Sequence, residues 1–509
     1  MLSFHEDSPS FKNEDEMTSL TKINSKVAPT ERAMIRQSNV WRSIILSALD
    51  VTFKPYCVYI RTLDFRNLSG LLEDYKFAKK IRKDFFAGPM QQFKFDQVDF
   101  NRTQNFFEYL DVIRIINAVG DAITTKSAHL EELHGHLSPG SLPQWIRNSP
   151  HLQSLTLYLG NALTEEAGVA FRKCAQMFKS LTISEWRDSN ADEVFAAFLN
   201  RLHSQTLEYL EIISSNRLGE LSFDALSAHA TSLKELKLNS LSEDAMKNLD
   251  KLRPCTSIHT LSLEDNTRGQ VLLEANHPDV FVEIVAWLST CTKLKDVSMK
   301  NFFDGPAILA RVLPSPGVVL DRLSLEGYEL GRDSTAAFHT ALSDQRQLKT
   351  VELKGTCEDG NQNHLTILVE ALCNLRNLQT LRLKDISEDF EETHITNLAL
   401  GLPMLEDFWT SGQNLGPDVL SVLASMKFLK TLNLNALTQF GCTDILDFVS
   451  QLDDETQRDF NLNLMSQDSE YNLTEGEQEL IRDILRSKVD GKFDFDLWRE
   501  DDEENSDDD

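Results

Sequence analysis

The sequence predicts an α/β leucine-rich-repeat solenoid, a horseshoe with a parallel sheet on its concave face and helices outside. An apolar residue followed by an LxxLxL-like pattern recurs with first residues Leu152, Phe178, Leu207, Leu233, Ile258, Leu294, Leu320, Leu348, Leu378, Leu405 and Leu429. The span from 152 to 429 divided by its ten intervals gives about 28 residues per copy, the upper end of the leucine-rich-repeat period. Amphipathic stretches fall between the copies. One strand-plus-helix unit cannot bury its apolar face alone, so the copies must stack into a single long core.

Taken in order, residues 1–28 are polar, acidic and poor in aromatics, and read as a disordered tail. Residues 29–57 open with a helix that starts at Pro29-Thr30-Glu31 and offers Met34, Trp41, Ile44, Ile45 and Leu49 as an apolar face. Residues 58–130 form an N-terminal cap. Within it, VYIRTLDFRNL, with Ile60, Leu63 and Phe65, is a degenerate first repeat strand, and NFFEYLDVIRIINAVGDAI is helical. Residues 131–456 are the repeats. In LKELKLNS, Leu236 and Leu238 face one way from a short strand while Glu235 and Lys237 face the other. In HLTILVEALCNL, Leu365, Leu368, Val369, Leu372 and Leu375 share one helix face, as do Phe281, Ile284, Val285 and Leu288 in PDVFVEIVAWL. Residues 457–499 read as a C-terminal cap built from FNLNLM, EQELIRDIL and the alternating Phe493, Phe495 and Leu497, with Trp498 over the last apolar edge.

The repeats depart from the common pattern at the ninth position, usually Asn or Cys. It is Asn only at Asn266 and elsewhere Trp186, Leu241, Phe302, Tyr328, Thr356 or Ile386. Spacing runs from 24 residues (Leu405 to Leu429) to 36 (Ile258 to Leu294), so the arc should be irregular, with its longest insertion at Asn266 to Asp279.

Charge narrows the function classes. Lys plus Arg number 51 against 79 Asp plus Glu, and the net charge of −28 disfavours nucleic acid or an anionic membrane as partner and leaves a protein. Seven cysteines without a CxxC pair suggest neither a disulfide framework nor a zinc site, and most should be buried thiols on helices. The N-terminal residues lack an apolar signal region and no apolar run reaches membrane-spanning length, so an intracellular, cytoplasmic or nuclear, protein is expected. The sequence holds no Walker loop, HExxH or G-x-S-x-G, and His134 and His136 read as loop or cap residues, so neither an enzyme nor a cofactor is expected. KFAKKIRK, whose core is Lys79 to Lys83, reads as a solvated helix face that also matches a short nuclear-import pattern. Residues 500–509, EDDEENSDDD, carry eight acidic side chains and read as a solubilising acidic tail, with Ser506 open to an acid-directed kinase.

VWRSIILSALDVTFKPYCVYIRTLDFRNLSGLLED, INAVGDAI, LEELHGHL, SLKELKL and ILDFVSQL together resemble the F-box/leucine-rich-repeat proteins common in fungi, over nearly the whole chain after residue 30. The resemblance implies the substrate-recognition subunit of an SCF-type ubiquitin ligase. An N-terminal F-box would dock on the Skp adaptor and through it on a cullin, the repeats would hold a protein substrate, and the chain would be a monomer outside the complex. The Pro-Glu-aliphatic helix of that box is absent from EMTSLTKINSKVAPTERAM, so only Trp41, Ile44, Ile45 and Leu49 carry over as adaptor contacts. A plain capping helix competes with that reading. A Ran-type GTPase activator or another scaffold without ubiquitin-ligase contact is the alternative function.

The partner surface is sought on the fifth repeat position, which points from the sheet away from the helices. That row reads Thr156, Thr182, Glu211, Lys237, Ser262, Ser298, Ser324, Glu352, Arg382, Trp409, Asn433. Trp409 is its one large aromatic, and Arg382 on the adjacent strand should stack on it with Glu352 on the far side. Glu352, Arg382 and Trp409 are therefore expected at the centre of a protein-binding patch.

Overall fold

In the computed structural model, residues 29–97, 109–267, 271–355, 362–387, 389–466 and 471–497 are described. The terminal segments 1–28 and 498–509, with Trp498, Ser506 and the acidic tail, lie outside these, as do Thr356 and Cys357. The chain divides into two compact units, Met1–Phe178 and Lys179–Asp509.

The first unit begins with helix α1 (Pro29–Ala48), whose start matches the Pro-Thr-Glu signal. Its sheet strands are β1 (Thr62–Asp64), β2 (Glu132–Gly135) and β3 (Ser154–Leu159), in parallel register, with Leu63 opposite Leu133 and Leu133 opposite Leu155, while Tyr109–Leu110, expected to be helical, instead pairs antiparallel with Asp96–Gln97. The degenerate strand is thus a real one. His134 lies in β2, on the fifth-position row opposite Thr156, rather than in a loop. Helix α2 (Val112–Lys126) is started by Asp111, whose carboxylate accepts the Arg114 amide at 3.0 Å. Aromatic packing makes the core: Phe65, fully buried, stacks on Trp41 at 6.1 Å and leans on Trp145 at 5.4 Å. Gly120 on α2 clears the way for Trp145, since a Cβ there would sit 2.1 Å from its ring.

The second unit carries twelve described strands, every neighbouring pair parallel: β4 (Ser180–Glu185), β5 (Tyr209–Ile212), β6 (Glu235–Leu241), β7 (Thr260–Asp265), β8 (Asp296–Lys300), β9 (Arg322–Tyr328), β10 (Thr350–Gly355), β11 (Thr380–Lys384), β12 (Asp407–Leu415), β13 (Thr431–Thr438), β14 (Asn461–Ser466) and β15 (Lys492–Leu497). Strands and helices alternate, as a leucine-rich-repeat solenoid requires. Leu236, Leu238, Leu381 and Leu383 are fully buried, whereas Glu235, Lys237, Arg382 and Lys384 are half-exposed. The covering faces match their patterns. In helix α3 (Pro278–Thr290), Phe281, Ile284 and Leu288 are buried and Val285 half-buried; in α4 (Gln362–Cys373), Leu365, Leu368, Val369 and Leu372 are buried, and so is Leu375 just beyond.

The structure also departs from expectation in particulars. The segment read as a C-terminal cap continues the ladder, because FNLNLM and KFDFDL alternate with period two and form β14 and β15 around helix α5 (Glu475–Val489). The apolar ninth position is explained by the eighth. Ser240, Asn301, Gly327 and Asp385 all occupy the left-handed region (φ 55°, 52°, 79° and 50°), and this turn points the next residue inward, so Leu241, Phe302 and Ile386 are buried. Asn266 is exposed instead, and the buried amide is Asn216, which donates to the Asn239 carbonyl at 2.6 Å. The long insertion is partly helical, with Leu273–Asn276 held by Asp304, whose carboxylate accepts the Leu273 amide at 2.6 Å. Among the described cysteines, Cys57, Cys255 and Cys291 are buried and Cys174, Cys373 and Cys442 half-buried; of the buried ones Cys57 sits in a 3-10 turn, Cys291 ends helix α3 and Cys255 lies in a loop before β7.

The turns between helix and strand hide a feature that sequence reasoning missed. Buried His229 accepts the Leu207 amide at 3.2 Å, buried Gln345 accepts the Leu320 amide at 3.0 Å and donates to the Leu313 and Val318 carbonyls, and buried Gln457 donates to the Met426 carbonyl at 3.1 Å. Each plugs a turn whose backbone groups would otherwise lie buried without partners. Polar residues at uneven spacing in a leucine-dominated pattern gave no periodic signal.

Candidate functional site

The exposed side of the second unit's sheet is a surface of regular rows. Thr182, Glu211, Lys237, Ser262, Ser298, Ser324, Glu352, Arg382, Trp409 and Asn433 stand side by side in register, and Asn463 and Asp494 extend the row. Those two were missed because their strands were assigned to the cap. The alternation in NLNLM was the available signal.

Glu352, Arg382 and Trp409 do come together, but not by the expected contacts. Arg382 Nη1 donates to Glu352 Oε1 at 3.2 Å and Nη2 to Asp407 Oδ2 at 2.7 Å, and the Asp407 hydrogen bond raises the guanidinium pKa further. The cation over the Trp409 ring is Lys384, 5.3 Å from its centre. The expected Arg382–Trp409 stack is thereby corrected. Asp407, two residues before Trp409 on the same strand and face, gives Arg382 a carboxylate, and a charge-assisted hydrogen bond outweighs a ring contact. Trp409 is left half-buried beside an ammonium that has no carboxylate partner among the described residues. Thr410, where repeats place a core leucine, is fully buried and donates its hydroxyl to the Ser411 carbonyl at 2.8 Å.

At the other end of the face, Tyr209 donates to Glu211 Oε2 at 2.7 Å, and Lys237 lies 5.1 Å over its ring. Burial, and then Glu211, raise the Tyr209 pKa, so the phenol stays protonated. Ser262, Ser298 and Ser324 separate the two charged clusters with the smallest side chains of the row.

Four buried titratable groups are held in their neutral forms. Burial lowers the His229 imidazole to about 4 and His339 to about 3, and pushes the Cys255 and Cys291 thiols up to about 12. Buried imidazoles held neutral and thiols held protonated are structural groups. Among the described residues no cluster of metal-type ligands forms, and no described helix is long and apolar enough to cross a membrane.

In the first unit, the residues carried over as adaptor contacts divide. Trp41 and Ile45 are buried, Trp41 against Phe65, and have no surface to give a second chain; Ile44 and Leu49 are half-exposed. Outward-facing apolar groups lie just past the helix. Asp50 turns left-handed (φ 59°), the chain leaves α1, and Val51, Phe53, Tyr56 and Tyr59 follow, with Phe53 99% exposed. The loop is nonetheless anchored, since the Cys57 amide donates to Ser47 Oγ at 3.0 Å and Ser127 Oγ donates to the Cys57 carbonyl at 2.6 Å. In the basic island Phe77 and Ile81 are buried, Lys80 pairs with Glu31 at 2.8 Å, and Arg82 pairs with Asp96.

No protein-family model and no curated protein matches the chain. Solved structures do resemble it. One, described as the Rad7 and Elc1 complex in yeast, is 14% identical with a TM-score of 0.42, over 92% of this chain and 97% of that one. The leucine-rich-repeat ectodomain of the plant membrane receptor kinase GASSHO1/SCHENGEN3 from Arabidopsis thaliana is 13% identical with a TM-score of 0.29, over 68% and 48%. The TLR13–ssRNA13 complex gives 12% and 0.34, over 68% and 54%. The chain thus spans about half the length of the latter two.

Proposed function

We propose that the chain is a protein-interaction scaffold that holds a partner protein on the open sheet face of its second unit, centred on Glu352, Arg382 and Trp409. The carrying observation is the half-buried Trp409 ring beside Lys384 and a guanidinium fixed by two carboxylates, on a face no described helix covers. Trp and Arg concentrate binding energy because they bury much area and form directional contacts at once. Arg382 is pre-positioned by its two carboxylates, which reduces the ordering cost of docking.

The finer reading is a substrate-recognition subunit of an SCF-type ubiquitin ligase, with the sheet face toward substrate and the first unit toward the Skp adaptor and cullin. The F-box/leucine-rich-repeat resemblance supports it, and so does the exposed apolar run Val51, Phe53, Tyr56 and Tyr59 beside Ile44 and Leu49. Exposed aromatic rings on an anchored loop, Phe53 foremost, are a docking feature rather than a packing one. The test is affinity purification of the wild type and of Phe53→Asp. Skp and cullin should accompany the wild type and be depleted at least tenfold by the substitution, with the melting temperature unchanged because Phe53 touches no core. A small GTPase in place of Skp, or neither, would contradict the ligase reading.

A further inference from the structure

The fifth and seventh positions of β12, β13 and β14 hold Trp409 and Ser411, Asn433 and Asn435, and Asn463 and Met465, side by side in register. None is charged, so a neutral window three strands wide opens on the sheet face between Arg382 and Lys384 on β11 and Asp494 and Asp496 on β15. Asparagine is disfavoured in strands, because its amide competes for backbone groups and packs poorly on a pleated surface. Its recurrence in NLNLN of β13 and NLNLM of β14 therefore works against the fold, and local conflicts of this kind collect at functional sites.

The amides are incompletely used within the chain. Asn463 Nδ2 donates to Asn433 Oδ1 at 2.5 Å, which holds the two side chains edge to edge. The Asn433 amino group and the Asn463 oxygen then have no partner among the described residues. Asn435 Oδ1 is shielded from solvent and accepts no hydrogen bond, a costly state for an acceptor. The residue as a whole is half-exposed, and the broad torsion of an amide lets that oxygen turn outward. Asn461, by contrast, donates to the Asp459 carbonyl at 3.3 Å and belongs to its turn.

An extended polypeptide presents an N–H and a C=O on one edge at every second residue. That repeat is two strand rises, roughly 6.7 Å, and Asn433 and Asn435, two apart on β13, stand at the same spacing. Each carboxamide carries donors and an acceptor, and so can pair with one peptide unit. Laid edge-on along β13, such a chain sends alternate side chains to opposite sides. One set meets the half-buried Trp409 ring on β12. The other passes over Met465 toward Asp494 and Asp496 on β15, roughly 10 Å from β13. Both carboxylates are exposed and have no ion-pair partner among the described residues.

We infer that Asn433, Asn435 and Asn463 read the main chain of an extended polypeptide segment laid along β13, with apolar side chains on Trp409 and basic side chains at Asp494 and Asp496. This names the kind of partner for the face already assigned to partner binding, and it rests on that assignment. Main-chain hydrogen bonds supply sequence-tolerant affinity, and the two rows of side chains supply selectivity.

The probe is a phage-displayed library of random-sequence heptapeptides selected on the full-length protein, with the enriched peptides then synthesised and their binding measured by fluorescence anisotropy. Enriched sequences should alternate apolar and basic residues. Methylating the peptide's backbone nitrogens one at a time should weaken binding at least roughly tenfold at alternate residues and little at those between. Asn433→Val with Asn435→Val should lose the peptides by a similar factor while melting at or above the wild-type temperature, since valine suits a strand better. Asp494→Lys with Asp496→Lys should switch the selected sequences from basic to acidic. No enrichment, equal binding by the valine variant, tolerance of methylation at every position, or a valine variant that melts below wild type would overturn the inference. So would oligosaccharides that bind through the asparagines where peptides do not. Folded partners retained by the valine variant but lost from Arg382→Ala with Trp409→Ala would strike the main-chain site alone and leave the scaffold reading standing.

Discussion

The two units solve the same packing problem by different means, and the difference decides how legible each is. In the second, the stabilising element is a period: apolar residues return every 24 to 36 positions between Leu207 and Leu429, and each strand buries the same two positions against the next. In the first, three short strands carry the sheet and a cluster of large rings, Trp41, Phe65 and Trp145, fills the space beneath. A periodic core tolerates length changes between copies because each repeat needs only its neighbours. An aromatic cluster tolerates little, because its members fit one another.

The largest expected effect breaks the periodic side. Leu381 is fully buried in β11, so Leu381→Asp places a carboxylate among leucines and should cost several kcal/mol or force protonation. Hydrogen exchange should show β10 to β12 losing protection together while β1 to β3 keep theirs. A melt within two degrees of wild type would mean the strand register is wrong. The matching change in the first unit is Gly120→Ala, where the added Cβ meets the Trp145 ring. Overpacking of this kind costs about 1–3 kcal/mol. It should lower the first unit's transition alone, and a neutral result would show that Trp145 can move.

Next in size is an effect of pH. Burial lowers His229 to about 4 against about 6.5 unfolded, so between those values the unfolded chain binds more protons than the folded one. Stability is then complete above pH 6.5 and falls as the pH drops through the window, by roughly 2 kcal/mol at pH 5 from this residue. His229→Gln should keep the turn plugged, as Gln345 does four repeats further along the array, and flatten that acid dependence in thermal melts. An unchanged slope from pH 6.5 to 5 would assign the acid sensitivity elsewhere.

How much was legible follows from the same contrast. The strands from Leu152 to Leu434, the burial of Leu381 and Leu383, and the row through Glu352, Arg382 and Trp409 were all readable, because residue spacing sets both strand face and strand neighbour. The Lys384–Trp409 contact was not, since choosing among Lys384, Arg382, Asp407 and Glu352 depends on side-chain reach and charge competition rather than on period. Nor was the left-handed eighth position: Ser240, Asn301, Gly327 and Asp385 share a backbone angle without sharing a side chain. In the first unit, the burial of Trp41 and Ile45 was concealed because an apolar helix face has the same pattern whether it meets its own chain or another.

The claim that the sheet face is a binding surface is tested most directly by Arg382→Ala combined with Trp409→Ala, measured for melting temperature and for retention of the proteins that co-purify with the wild type. Both side chains are partly exposed and Arg382's ion pairs are worth about 1 kcal/mol or less each, so the fold should melt within a few degrees of wild type. Loss of at least one partner by tenfold or more, at that unchanged stability, is the predicted result. Full retention of every partner by a folded double variant would contradict the account.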